Sequence, residues 1–196
     1  MNRARDDILA RLDAARTPRV EPPRPPTAPP GMDDPPAFLR ARLEEAGGRL
    51  QMAAARNWPD EIEWPLDRTA VRHLHSALPI VPSRGLGLDA TTDRELDGLE
   101  ICILRAEFAV AESGAVWQVP SSPRERVAAL LAEHLIVVVD ATEIVATLHH
   151  AYQRIDPARS AFGWFLCGPS KTADIEQSLV LGAHGPRTLD LIVTNA

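Results

Sequence analysis

Lysine is almost missing from this chain: of 21 basic residues, twenty are arginine and only Lys171 is lysine. Basic charge as a whole is in deficit, with 27 acidic residues and a formal net charge of −6. That balance argues against a nucleic-acid surface, which is normally basic. No apolar run approaches the roughly 20 residues needed to cross a bilayer, so no membrane span is expected. The run Leu135 to Val139 is strand-sized. Arg3, Arg5, Asp6 and Asp7 break up the N-terminus, so it does not read as a secretory signal, and a reducing cytoplasm is the expected setting. Only two cysteines occur, Cys102 and Cys167, each in an apolar stretch, and both read as buried free thiols. Two are too few for a conventional iron–sulfur cluster or a cysteine-rich zinc site, so no cofactor or metal is expected on this chain.

Proline, by contrast, is in excess: 18 in 196 residues, nine of them within residues 1–36. Residues 3–16 read as a short helix striped by Ala4, Ile8, Leu12 and Ala15, and Pro18 to Pro36 reads as an extended, polyproline-like linker. The domain proper is expected over 37–196. Whether the tail is a mobile arm or docks on a partner or a sister subunit is open at this level.

From Ala37 the pattern alternates. A helix is expected over 37–46, stopped by Gly47-Gly48, then a strand over 49–55. Residues 56–98 are broken by Pro59, Pro65, Pro79 and Pro82; a helix over 67–75 and a strand over 78–81 are the readings there. Strands follow over 100–104 and 108–119, the second folded into a hairpin at Gly114. Ser122-Pro123-Arg124-Glu125 is a helix start with a serine cap and a proline in the first turn. The valine-rich run 135–139 suits a strand buried on both faces. A helix over 142–154, a strand over 162–167, a helix over 172–181 closed by Gly182 and a last strand over 189–194 complete the chain. Such alternation predicts the α/β class, a mostly parallel sheet flanked by helices.

Two segments could carry chemistry. The first is Gly168-Pro169-Ser170-Lys171-Thr172-Ala173-Asp174-Ile175-Glu176. At a strand-to-helix turn, Gly168 allows close approach, and Ser170, Lys171, Thr172 and Asp174 would surround a small anion at a helix N-terminus. The same residues also suit plain helix capping, with Lys171 solvated. A P-loop is rejected, because the lysine comes three residues after Gly168 instead of directly after it. The second segment is Glu112-Ser113-Gly114, where a glutamate at a strand end could act as base or nucleophile. His184 lies between glycines, but an intervening ten-residue helix, roughly 15 Å long, would carry it away from Lys171. His73, His75, His149 and His150 have no metal-type spacing.

Gly168 to Glu176, continuing through Leu179-Val180-Leu181-Gly182 and His184-Gly185-Pro186-Arg187, resembles the C-terminal signature of the LUD-domain family, in its lactate-utilisation branch. Glu112-Ser113-Gly114 is similar to that family's central acidic-hydroxyl-glycine turn. The family usually has arginine at the place of Lys171. The resemblance implies a fold like the NagB/RpiA/CoA-transferase group. It also implies a bacterial system converting L-lactate to pyruvate, in which this protein is the component without a cluster and its partner proteins carry iron–sulfur clusters. An acyl- or CoA-transferase-like or sugar-phosphate-type enzyme using Glu112 is the alternative, a pure scaffold the third. Whether the chain is itself an enzyme, and whether it forms a homo-oligomer, is undecided from sequence.

Overall fold

The computed structural model describes residues 3–15, 21, 32–89, 92–175 and 178–195. In chain order the helices are α1 (Arg3–Ala14), α2 (Pro35–Glu45), α3 (Trp58–Glu61), α4 (Asp93–Leu96), α5 (Pro123–Leu131) and α6 (Leu148–Arg154). The strands are β1 (Arg49–Ala54), β2 (Leu74–Ser76), β3 (Ile101–Arg105), β4 (Phe108–Val110), β5 (Ala115–Gln118), β6 (His134–Asp140), β7 (Ile144–Val145), β8 (Trp164–Leu166), β9 (Lys171–Ile175), β10 (Ser178–Leu181) and β11 (Thr188–Asn195).

Five strands form an all-parallel sheet in the order β1-β11-β6-β3-β2. The expected α/β class is what the chain adopts. Its centre follows from sequence: every residue from Leu135 to Val139 is buried, and alternate side chains serve opposite cores. Leu135, Val137 and Val139 join Leu50, Leu104, Leu191 and Val193 beneath α2 and α5. Ile136 and Val138 join Ile101, Ile103 and Ile192 beneath the segment carrying Trp58, Ile62, Val71, Leu78 and Val81. Burying each such aliphatic side chain contributes about 1.5–3 kcal/mol.

Two helices dock the first of these cores for reasons visible in their sequences. Asp34 accepts the Ala37 amide at 3.1 Å, with Pro35 and Pro36 in the first turn of α2, where no amide partner is missed. Leu39 and Leu43 then point into the core. The helix ends at Gly47 (φ +84°), whose amide donates to Glu44 O while Gly48 N donates to Leu43 O, as the glycine pair predicted. The last two prolines of the expected linker thus belong to α2, and Met32 is already buried with the core. Most of the linker lies outside the described residues. On α5, Ser122 Oγ accepts from Glu125 N at 3.1 Å.

A second sheet, β7-β4-β5-β8, leans on the first; β4 and β5 form the hairpin expected at Gly114. Trp117, Phe108 and Phe165 pack on its far side with α6.

Four expected elements differ. Over 67–75 there is a turn in which Asp67 Oδ1 accepts both the Thr69 amide and hydroxyl, and then β2, because Leu74 gains a ladder partner in Ile101. Residues 78–81 form turns, not a strand. The helix expected from 142 begins at Leu148, since Ile144 and Val145 instead pair with Ala109 and Val110 as β7. The helix over 172–181 is replaced by the antiparallel pair β9–β10.

Glu125, in the first turn of α5, is a charged residue only 3% exposed. Its carboxylate accepts the Ser121 amide at 2.6 Å and lies 3.6 Å from His75 Nε2. Burial pushes the carboxyl up, but His75 and Ser121 together hold it below the ordinary 4.5. A depressed carboxylate contributes stability that is present above its unfolded value and lost as pH falls through the folded one. Glu125→Gln is expected to cost about 1–3 kcal/mol at pH 7, where the wild type holds a charged acceptor. In urea titrations the gap between the two proteins should narrow below pH 4.5; a gap independent of pH would contradict the assignment.

Candidate functional site

The hairpin β9–β10 rearranges the segment that sequence singled out. Lys171 pairs with Leu181, Thr172 with Val180 and Ile175 with Ser178. Ala, Glu and Gln in this stretch suit a helix, but Thr172, Ile175 and Val180 are β-branched, and pairing across the hairpin prevails over the weak local preference. The helix N-terminus expected to cradle an anion therefore does not exist. Ser170 and Thr172 are not helix caps, and Gly182 (φ +76°) follows a strand instead of closing a helix. The side chain of Asp174 and the whole of Glu176 fall outside the described residues.

A tighter arrangement replaces it. By reversing the chain, the hairpin returns residues 182–186 to Ser170. Ser170 N donates to Pro186 O at 2.9 Å, and Gly182 N donates to Ser170 O at 3.0 Å. His184 N donates to Ser170 Oγ at 3.4 Å. A Cβ on Gly185 would come within 3.1 Å of Ser170 Cβ, so the two loops touch. The expectation that His184 lies at the far end from Lys171 is overturned. Both line one cavity of about 330 Å³, with Gly168, Ser170, Cys167, Phe165, Leu166, Gly185 and Pro186, floored by Leu130, Leu135 and Leu189.

Lys171 lies against the carboxyl end of α2. A Cβ on Gly47 would be 2.8 Å from its Nζ, so a side chain there would push the ammonium aside. The partial negative charge of that helix end favours a cation. Among the described residues no carboxylate pairs with Lys171. Cys167 is exposed, contrary to the buried thiol expected; Cys102 is fully buried as expected. The Cys167 sulfur donates to Ser113 O at 3.4 Å. Partial burial of that sulfur pushes its thiol up, the nearby Lys171 charge only partly offsetting this, so the neutral thiol is the resting form.

The Glu112-Ser113-Gly114 turn stands behind the cavity instead of inside it. Gly114 (φ +73°) packs on the backbone of Arg42 and Leu43, where a Cβ would fall 2.6 Å from Leu43 N. Gly168 (φ +68°) packs on the same helix one turn later, where a Cβ would fall 2.5 Å from Ala46 O. The half-buried Glu112 accepts the Leu148 amide at 2.9 Å, so its carboxylate holds the first turn of α6. It does not line the cavity. The structure thus gathers Gly168, Ser170, Lys171 and His184 at one place, links Ser113 to it through Cys167, and leaves Glu112 and Thr172 outside its lining.

Sequence reading missed Phe165, Leu130 and Gly47 as members or neighbours of the site. Gly47 carried a signal, being one of two consecutive glycines where one suffices to end a helix. Among the described residues no group of three or more His, Cys, Asp or Glu side chains is arranged to hold a metal ion. Nor is any described helix long and apolar enough to cross a membrane.

Residues 82–194, which contain the Glu112 turn and every residue lining the cavity, match the family model of the LUD domain. The chain belongs to the LUD domain family. Among curated relatives, Lactate utilization protein C of Shouchella clausii is 32% identical over 125 residues, covering 58% of this chain and 53% of that protein. Lactate utilization protein C 1 of Bacillus mycoides is 34% identical over 116 residues, covering 56% and 50%. The corresponding protein of Geobacillus thermodenitrificans is 30% identical over 138 residues, covering 67% and 53%. The chain spans about half the length of the curated relatives it matches. The crystal structure of a DUF162 family protein from Deinococcus radiodurans superposes with a TM-score of 0.61 at 19% identity, covering 85% of this chain and all of that one. At that identity the likeness speaks for the fold alone.

Gly168→Ala combines a left-handed backbone with a collision against Ala46 O, so it is expected to cost about 2–4 kcal/mol. Urea denaturation monitored by tryptophan fluorescence measures it; a cost under about 0.5 kcal/mol would mean that this turn does not rest on α2.

Proposed function

We propose that this LUD domain serves lactate utilisation and binds a small organic anion in the cavity between Lys171 and His184. The supporting observation is the convergence of those two side chains, from segments 13 residues apart, on a cavity of about 330 Å³. A hollow of that size suits an anion of a few heavy atoms on an apolar floor, and a lysine with no carboxylate partner among the described residues supplies its counter-charge. The names of the curated relatives support the metabolic setting.

On this reading the chain is a component without a redox centre of its own. Iron–sulfur proteins of the same system carry the electrons. The domain's part is to hold or present the 2-hydroxy or 2-oxo acid, with Lys171 fixing the carboxylate and His184 within reach of the neighbouring oxygen. The arginine usual at this place in the family would grip a carboxylate with two parallel hydrogen bonds; Lys171 offers a point charge. A nucleophilic role for Glu112 is disfavoured, because its carboxylate is already committed to the Leu148 amide.

Isothermal titration with L-lactate and with pyruvate tests the reading. Lys171→Ala should weaken binding by about tenfold or more, the loss expected for one charge-assisted contact. Glu112→Gln should leave affinity within about twofold, while its weaker grip on α6 lowers stability by about 1 kcal/mol. Unchanged affinity in Lys171→Ala, or loss of binding in Glu112→Gln with the fold intact, would reject the assignment.

A further inference from the structure

A second hollow lies on the opposite side of the parallel sheet, mostly in the stretch of chain before the family match begins. It is about 230 Å³ and is lined by Arg56, Arg68, Arg84, Asp60, Leu74 and Ile80, among others. Its walls come from the segment that follows β1, from Leu74 at the start of β2, and from residues 80–84 that follow β2.

Three guanidinium groups meet one carboxylate there. Arg68 is held by Asp60 at 2.9 Å and by Pro59 O at 3.0 Å, with its plane over the Trp64 ring, 5.5 Å from the centroid. Trp64 is itself stacked on the buried Trp58. Arg84 donates to Val71 O at 2.9 Å and to Arg68 O at 3.4 Å. Those acceptors are backbone carbonyls, so they orient the guanidinium without neutralising it. Arg56 has no side-chain partner among the described residues. The neighbouring acids are otherwise engaged: Glu61 accepts from Asn57 and from the Ala54 amide, and Asp67 from Thr69. Two positive charges without a carboxylate partner among the described residues therefore face a hollow whose other wall is Leu74, Ile80, Val81 and Pro82.

We propose that this hollow is a binding site for a small organic carboxylate with a short apolar chain. Two oriented arginines and one unpartnered arginine suit a planar, bidentate anion. The apolar wall suits an alkyl tail, and the volume is too small for a nucleotide or a drug-sized ligand. The site shares no lining residue with the Lys171 cavity and does not depend on the function proposed for it. A straight or branched carboxylate of four to six carbons fits within it and can reach the apolar wall; free phosphate shares the charge but leaves that wall wet.

Chemical-shift titration of the full chain at low ionic strength tests the site, with butyrate, L-lactate and inorganic phosphate as probes. Butyrate should shift amides around residues 56–84 saturably. Arg56→Ala, which removes no described side-chain contact, should weaken it about tenfold or more. Lys171→Ala should leave those shifts within about twofold of wild type. Three results would overturn the proposal: no saturable shift at residues 56–84, an affinity unaffected by Arg56→Ala, or phosphate binding as well as butyrate.

Discussion

The parallel pairing of β11 with β6 positions most other parts of this domain. Both strands are buried on both faces, so sliding one past the other by a residue would swap two cores at once. The register sets Thr188 opposite His134 and Val193 opposite Val139. It also sets Arg187 N on Glu133 O at 2.8 Å, just before both strands begin. The loop 182–186 is thereby anchored at a defined place beside the sheet. Ser170 then needs only to reach Pro186 O and Gly182 N to bring its own strand, with Lys171, to the same place. The cavity is a by-product of sheet register, closed by one serine.

How charge is distributed separates ordinary surface from the two hollows. Most arginines whose contacts are described have an acid beside them: Arg49 with Asp190 and Glu63, Arg124 with Asp93, Arg154 with Glu143, Arg187 with Glu133. Apart from Arg49–Asp190, whose aspartate is buried, such exposed pairs contribute at most about 1 kcal/mol each, but they neutralise the surface. Lys171 and Arg56 are exceptions, cations lining hollows with no carboxylate on them among the described residues. Glu112 shows the reverse: a carboxylate that sequence could cast as chemistry is used as a peg for α6. Gly114 and Gly168 are needed because α2 passes too close for any side chain.

The sequence was most legible where one requirement dominated. The run Leu135 to Val139 is valine-rich and has no polar residue, which suits an inner strand. Ser122-Pro123 could hardly be anything but a helix start, and Gly114 marked its hairpin. The failures fall where two preferences compete. Residues 171–181 mix helix formers with β-branched residues, and only their pairing partner decides between them. The same holds for Ile144 and Val145, drawn into a ladder with β4. Around Asp67 and Leu74 the local signal pointed to a helix, yet a turn and a sheet edge were available. One wrong element had a large consequence: a helix at 172–181 separates Lys171 from His184, while a hairpin joins them. Membership of the family was legible all the same, because the motif is read residue by residue without regard to its shape.

The proposed site exists only if the hairpin carries Lys171 back to His184, and backbone nuclear Overhauser contacts measure that directly. Cross-strand contacts between Thr172 and Val180, and between Lys171 and Leu181, together with a contact between the Ser170 side chain and the His184 amide, are the predicted result. A ladder of contacts between residues three apart from 172 to 181, the mark of a helix, would contradict it and separate the two halves of the proposed site.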